Sequence, residues 1–63
     1  MKRFEYRVIS VKKGTFISAK KYAMQLASEL NALGSEGWEL IETVGSAFID
    51  GYVLQVFKRE LNQ

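Results

Sequence analysis

Apolar and polar residues alternate along three short segments of the chain, which is the pattern of β-strands. The first segment runs from about Arg3 to Val11, and its aromatic and β-branched residues recur at every second position. The second covers Trp38 to Val44, and the third covers Tyr52 to Arg59. Because successive side chains of a strand point to opposite faces, this alternation predicts three strands.

A segment with helical periodicity lies between the first two strands. Lys12, Lys13 and Gly14 open a loop, and Ser18 stands where an N-cap residue is expected before a run of helix formers. Gly34 is expected to end the helix as a left-handed C-cap residue. The apolar stripe of the predicted helix consists of Ala19, Tyr22, Ala23, Leu26, Leu30 and Leu33.

A tight hairpin is expected between the second and third strands, because Asp-Gly at residues 50–51 is a strong signal for a two-residue turn. Gly45 is the position where a bulge would shift the register by one residue. The expected cross-strand pairs are Phe48 with Val53, Val44 with Phe57 and Glu42 with Arg59.

The order of the elements predicts an α+β fold, a two-layer β-α-β-β sandwich with one helix on a three-stranded antiparallel sheet. Sixty-three residues allow a single domain, residues 1–63, and the first strand is expected beside the third. Both faces of the predicted sheet are apolar, and one helix covers only one of them. We therefore expect a homo-oligomer, a dimer or tetramer, joined through sheet faces or edge strands. The alternative is a monomer with an open apolar face.

Composition narrows the classes of protein. The chain has no Cys and no His, which excludes disulfides, structural zinc and thiol chemistry, and no cofactor or metal site is expected. Nine basic and seven acidic residues give a net charge of +2, less than expected of a duplex-DNA binder. No apolar run approaches the length of a membrane span, so we expect a cytoplasmic protein without membrane contacts.

Three blocks of sequence resemble a known family. FEYRV near the start, LNALGSEGWEL in the middle and VFKRE near the end are similar to landmarks of short bacterial and phage proteins of unknown function. The resemblance implies the same strand-helix-strand-strand fold and implies no activity. Phages also use small homo-oligomers as sponges that sequester cyclic nucleotide immune signals. The analogy between this chain and those proteins rests on size and architecture alone.

Lysines occupy a position where helices prefer acidic residues. Lys20 and Lys21 fall in the first turn of the predicted helix, where the macrodipole is positive, and Lys12 and Lys13 begin the loop that leads to it. Together with unpaired backbone N–H groups they form a candidate anion site. Solvated surface lysines are the alternative interpretation. The candidate ligand-binding residues, including two aromatic rings for base stacking, are Lys12, Lys13, Phe16, Ser18, Lys20, Lys21 and Tyr22.

Catalysis is not expected, because no histidine activates the serines, and Glu39 and Glu42 point to opposite faces of their strand. The first hypothesis is a non-enzymatic homo-oligomer that sequesters an anionic small molecule, most plausibly a cyclic nucleotide. Two alternatives stay open. One is a protein-interaction module that docks through a strand edge or an apolar sheet face, and the other is a weak single-stranded nucleic-acid binder.

Overall fold

The computed structural model describes residues 1–61 and confirms the predicted α+β architecture. One antiparallel sheet has the strand order β1-β3-β2, so the first strand lies beside the third as expected. One long helix packs on the sheet, and one short helical turn precedes the last strand. The elements are β1 (Phe4–Lys12), α1 (Ala19–Gly34), β2 (Glu39–Val44), α2 (Ala47–Asp50) and β3 (Tyr52–Glu60).

The pairing of β1 with β3 separates the sheet into two faces. Val11 lies opposite Val53, and both are buried under α1 and α2 together with Tyr22. Residues one position away in each strand project to the other side of the sheet. We call this second side the open face, and its apolar residues are Phe4, Tyr6, Val8, Val44, Tyr52, Leu54 and Val56.

The pairing of β2 with β3 corrects the predicted register. Val44 lies opposite Leu54, three residues from the expected partner Phe57, and the bulge is at Ile41 instead of Gly45. The reason is the connection: residues 47–50 form the helical turn α2 instead of continuing the strand to a two-residue hairpin. The expected pairs of Phe48 with Val53 and of Glu42 with Arg59 are therefore wrong as well.

The end of α1 corrects a second prediction. Gly34 is still helical, and the left-handed residue is Gly37, with a φ of 91°. The Trp38 N–H donates to the Leu33 carbonyl, and the Gly37 N–H donates to the Gly34 carbonyl, both at 3.0 Å. These two hydrogen bonds form a Schellman motif, which satisfies the last carbonyls of the helix. The left-handed residue therefore lies three positions after the predicted one.

The folded chain is elongated. Its Cα radius of gyration is 13.3 Å, whereas a compact domain of this length is expected near 11 Å. The buried apolar core is correspondingly small, and Phe57 is its most completely buried side chain. Neither described helix combines the length and apolar character needed to cross a lipid bilayer.

Candidate functional site

The candidate site lies at the end of the molecule where α1 begins. Ser18 is the N-cap residue as predicted, because its backbone is extended and its Oγ accepts from the Lys21 N–H at 3.2 Å. Lys20 and Lys21 occupy the first turn, which contains no acidic residue, and both are exposed. This turn therefore combines two ammonium groups with the positive end of the helix dipole.

The loop before α1 presents an aromatic ring to solvent. Phe16 is fully exposed, with a relative accessibility of 100%. Its φ is 63°, in the left-handed region that a bulky residue rarely adopts. The loop is held by hydrogen bonds from the Lys13 N–H to the Gly51 carbonyl at 2.8 Å and from the Ile17 N–H to the Gly14 carbonyl at 3.4 Å. The chain thus holds Phe16 outward in a strained conformation that costs about 1–3 kcal/mol.

A second exposed aromatic ring, Phe48, belongs to the same end and was missed by the sequence analysis. Phe48 lies in α2 with 67% of its surface exposed, and the Lys13 Nζ is 5.2 Å from its ring centroid. Such a cation over an aromatic face is favourable by about 0.5–1 kcal/mol at an exposed site. Two residues of the sequence could have indicated this helical turn. Ser46 precedes it as the N-cap residue, and Gly51 ends it with a φ of 82°.

The predicted site residues do not all share one surface. Tyr22 points into the core, where its hydroxyl donates to the Val11 carbonyl at 2.8 Å, so the exposed ring of the predicted cluster is that of Phe16. Lys12 pairs with Tyr52 and projects from the open face, opposite to α1. Lys13 contacts Phe48. We use "lysine-rich end" for a set of residues that are exposed except for the half-buried Lys13: Lys12, Lys13, Phe16, Lys20, Lys21 and Phe48.

Comparison with known families bears on the whole folded region. A family model described as "Domain of unknown function (DUF4177)" matches residues 4–60. The chain belongs to this family. The match spans all five elements of the DUF4177 domain, and it confirms the resemblance to a family of unknown function. No curated protein and no solved structure matches the chain.

The opposite end of the DUF4177 domain carries a charged cluster whose groups are already paired. Arg59 donates from Nε and Nη2 to the Glu5 Oε2 at 2.9 and 2.8 Å, and from Nη1 to the Glu36 carbonyl at 3.1 Å. Its guanidinium lies 4.4 Å from the Trp38 ring centroid, and that of Arg7 lies 5.7 Å away. Arg59 therefore ties β3 to β1 and to the turn after α1, which is a structural role.

The residues that the structure describes form neither an enclosed cavity nor a group of acidic side chains able to hold a metal ion. The lysine-rich end is part of the surface of the DUF4177 domain. At the lysine-rich end that surface offers ammonium groups and two exposed rings, which together suit a phosphate ester that carries a planar base.

Proposed function

We propose that this protein is a non-enzymatic, homo-oligomeric module that captures an anionic small molecule at its lysine-rich end, with a cyclic nucleotide as the favoured ligand class. The observation that carries the proposal is Phe16. This ring is wholly exposed and is held there by strained backbone, in the loop that joins Lys13 to the lysines of α1. Strained residues of this kind concentrate at ligand-binding sites.

The charges support the phosphate part of the ligand. Each of Lys20 and Lys21 loses a few tenths of a kcal/mol up to about 1 kcal/mol against the helix dipole at low ionic strength. A bound phosphate reverses that loss, because it interacts favourably with both ammonium groups and with the N–H groups of the first turn that Ser18 does not cap. The unfavourable placement is thus offset when an anion is present.

The exposed rings support the base part of the ligand. Stacking a base on an aromatic side chain contributes about 1–3 kcal/mol, independent of base identity. Phe48 offers an exposed ring beside Lys13, and Phe16 offers a fully exposed ring in the loop before α1. A single chain encloses nothing at this end, so the proposal includes a second chain whose lysine-rich end closes over the ligand. A protein of this kind, if carried by a phage, would act as a sponge that holds an immune signal without converting it.

Calorimetric titration with a panel of cyclic dinucleotides and ADP-ribose derivatives tests the proposal. We expect saturable, stoichiometric binding, with the ligand recovered intact. The double variant Lys20→Glu with Lys21→Glu should abolish binding, because it replaces two cations by two anions. The control is Lys2→Glu with Arg3→Glu, which changes the net charge equally before the start of β1, and it should bind like the parent.

Phe16→Ala separates stacking from charge. Loss of one stacking contact predicts weaker binding by about 5-fold to 150-fold for base-containing ligands. Inorganic phosphate should bind both proteins alike. If no panel member binds the parent, or if the Lys20/Lys21 double variant binds as tightly as the parent, the anion site at the lysine-rich end is wrong. Binding that grows with oligonucleotide length and disappears steeply with salt would indicate a single-stranded nucleic-acid binder instead.

A second candidate function is protein docking at a strand edge. Within residues 1–61, β2 pairs on one side only, and all six of its residues are exposed. A partner segment that adds a strand there would use the free backbone groups of β2. The predicted signs are a protein recovered in a pull-down and no bound nucleotide. Replacing Thr43 on β2 by Pro should abolish that recovery and leave nucleotide binding unchanged.

A further inference from the structure

The open face is an apolar surface that the elements within residues 1–61 leave uncovered. Its centre consists of valine and leucine side chains of β1, β2 and β3, with Glu42 of β2 beside Val56, and aromatic rings lie around them. Tyr6 is 64% exposed and Val8 is 61% exposed, although both lie in the middle of a regular strand. α1 and α2 both pack on the other side of the sheet, against Val11 and Val53.

The accessible surface area of the chain is larger than that of a compact monomer. The chain exposes 4833 Å². A compact monomer of the same mass is expected to expose about 4,100 Å², so about 700 Å² more than expected is left in contact with water. A stable protein interface buries about 800 Å² on each partner. The excess therefore has the size of one side of such an interface.

The charges at the two ends of the open face suggest what covers it. Lys12 lies at one end, beside Tyr52, whereas the other end carries Glu60, Glu39 and Lys58 and is net negative. Two copies can pack with their open faces against each other. A two-fold axis that lies between the faces and runs perpendicular to the strands then brings opposite ends of the two faces together. Lys12 of each copy then lies over the end that carries Glu60 in the other copy, and the apolar centres stack. The face is thus complementary to itself, as an isologous interface requires.

We infer that the open face is covered by a second copy of this chain, in a two-fold dimer in which the two sheets pack face to face with their ends reversed. The inference deepens the homo-oligomer part of the proposed function and rests on it, but it uses no residue of α1. The two lysine-rich ends lie at opposite ends of this dimer, so the second lysine-rich end that closes over a ligand belongs to another dimer in a tetramer. The sheets of such a dimer would lie about 10 Å apart with a dry core between them. The dimer also draws Lys12, a member of the lysine-rich end, into its rim.

Sedimentation velocity over a range of micromolar concentrations tests the dimer. The parent should sediment at twice its 7.2 kDa chain mass or at a higher even multiple. Val8→Lys should sediment at a smaller mass, because it buries a charge in the apolar centre of the interface. The matched control is Met24→Lys, since Met24 has a similar exposure of 64% but lies on α1; it should keep the mass of the parent.

The outcomes are distinct. A parent of 7.2 kDa at every concentration, with a cooperative melt, overturns the inference. So does an oligomer whose mass Val8→Lys leaves unchanged, because another surface then joins the copies. Circular dichroism verifies that Val8→Lys is folded. If it is not, Val8→Ser takes its place and should raise the dissociation constant at least tenfold. Calorimetry of the ligand is independent of these results, so failure of the dimer and failure of the anion site can be told apart.

Discussion

The hydrogen bond between Tyr22 and the Val11 carbonyl is a buried polar contact that joins α1 to the sheet. It is buried, it measures 2.8 Å, and it joins the second turn of α1 to the end of β1. The substitution Tyr22→Phe removes only the hydroxyl and keeps the ring in the core. Its effect on stability therefore reports the hydrogen bond with little contribution from packing.

The size of the expected loss in stability depends on the burial of this hydrogen bond. A typical hydrogen bond contributes about 0.5–1.5 kcal/mol net, and an acceptor left unsatisfied in the interior adds a desolvation cost. Val11 is itself buried, so water does not readily replace the hydroxyl. We expect Tyr22→Phe to lower the free energy of unfolding by about 1.5 kcal/mol. In a domain of this size the total is about 3–9 kcal/mol, so the loss should be easy to measure.

Urea unfolding followed by the fluorescence of Trp38, the single tryptophan, measures the change. All variants must be compared at one protein concentration, because association alters apparent stability. The control is Gln25→Ala. Its side chain donates to the Lys12 carbonyl at 3.3 Å, one residue further along β1, but this bond is exposed to solvent. We expect Gln25→Ala to change stability by less than about 0.5 kcal/mol, since alanine is also the better helix former.

A free energy of unfolding within 0.5 kcal/mol of the parent for Tyr22→Phe would refute this reasoning. The buried hydroxyl would then contribute nothing net, and α1 would be held by apolar packing alone. An equal loss for Tyr22→Phe and Gln25→Ala would also contradict it, because burial would not distinguish the two bonds.

Two further predictions concern the end of α1 and the core. Gly37→Ala should lower the free energy of unfolding by about 1–2 kcal/mol, because the φ of Gly37 is 91° and an added Cβ would lie 3.3 Å from the Arg59 Cδ. Gly34→Ala should be neutral or stabilise by up to about 1 kcal/mol. Thermal melts of the two variants check this, and a larger loss for Gly34→Ala would mean that the helix ends at Gly34. Gln55→Leu should raise the free energy of unfolding by about 1 kcal/mol, because Gln55 is 3% exposed and its Oε1 has no hydrogen-bond partner within residues 1–61. Urea unfolding checks the second prediction, and a destabilised Gln55→Leu would show that the amide is satisfied by water.

The elements that local sequence determines were predicted correctly. Period-two alternation identified all three strands, and Ser18 identified the start of α1, because both signals act within a few residues. The prediction that β1 lies beside β3 was also correct. Each of these features depends on the nearest neighbours in the chain or on the order of the elements.

The failures occurred where two local signals compete. Asp50 and Gly51 suit a two-residue hairpin, but they also suit the end of a helical turn, in which the Asp50 Oδ2 accepts from the Ser46 N–H at 3.1 Å. The turn moved the register of β2 by three residues and brought Phe48 to the surface beside Lys13. Helical spacing had placed Tyr22 on the apolar stripe, and its burial agrees with that prediction; its second assignment, to the ligand site, was wrong because the ring and hydroxyl are taken up by the core.

Native mass spectrometry of the protein incubated with cyclic dinucleotides tests the central claim most directly, because one spectrum gives the number of chains and any bound ligand together. We predict an even multiple of the 7.2 kDa chain that carries nucleotide in a fixed ratio, and loss of the nucleotide, but not of the assembly, in the Lys20→Glu, Lys21→Glu variant. An even multiple of the chain mass without bound nucleotide would agree with the dimer but contradict the anion site. A bare 7.2 kDa chain at micromolar concentration would contradict both.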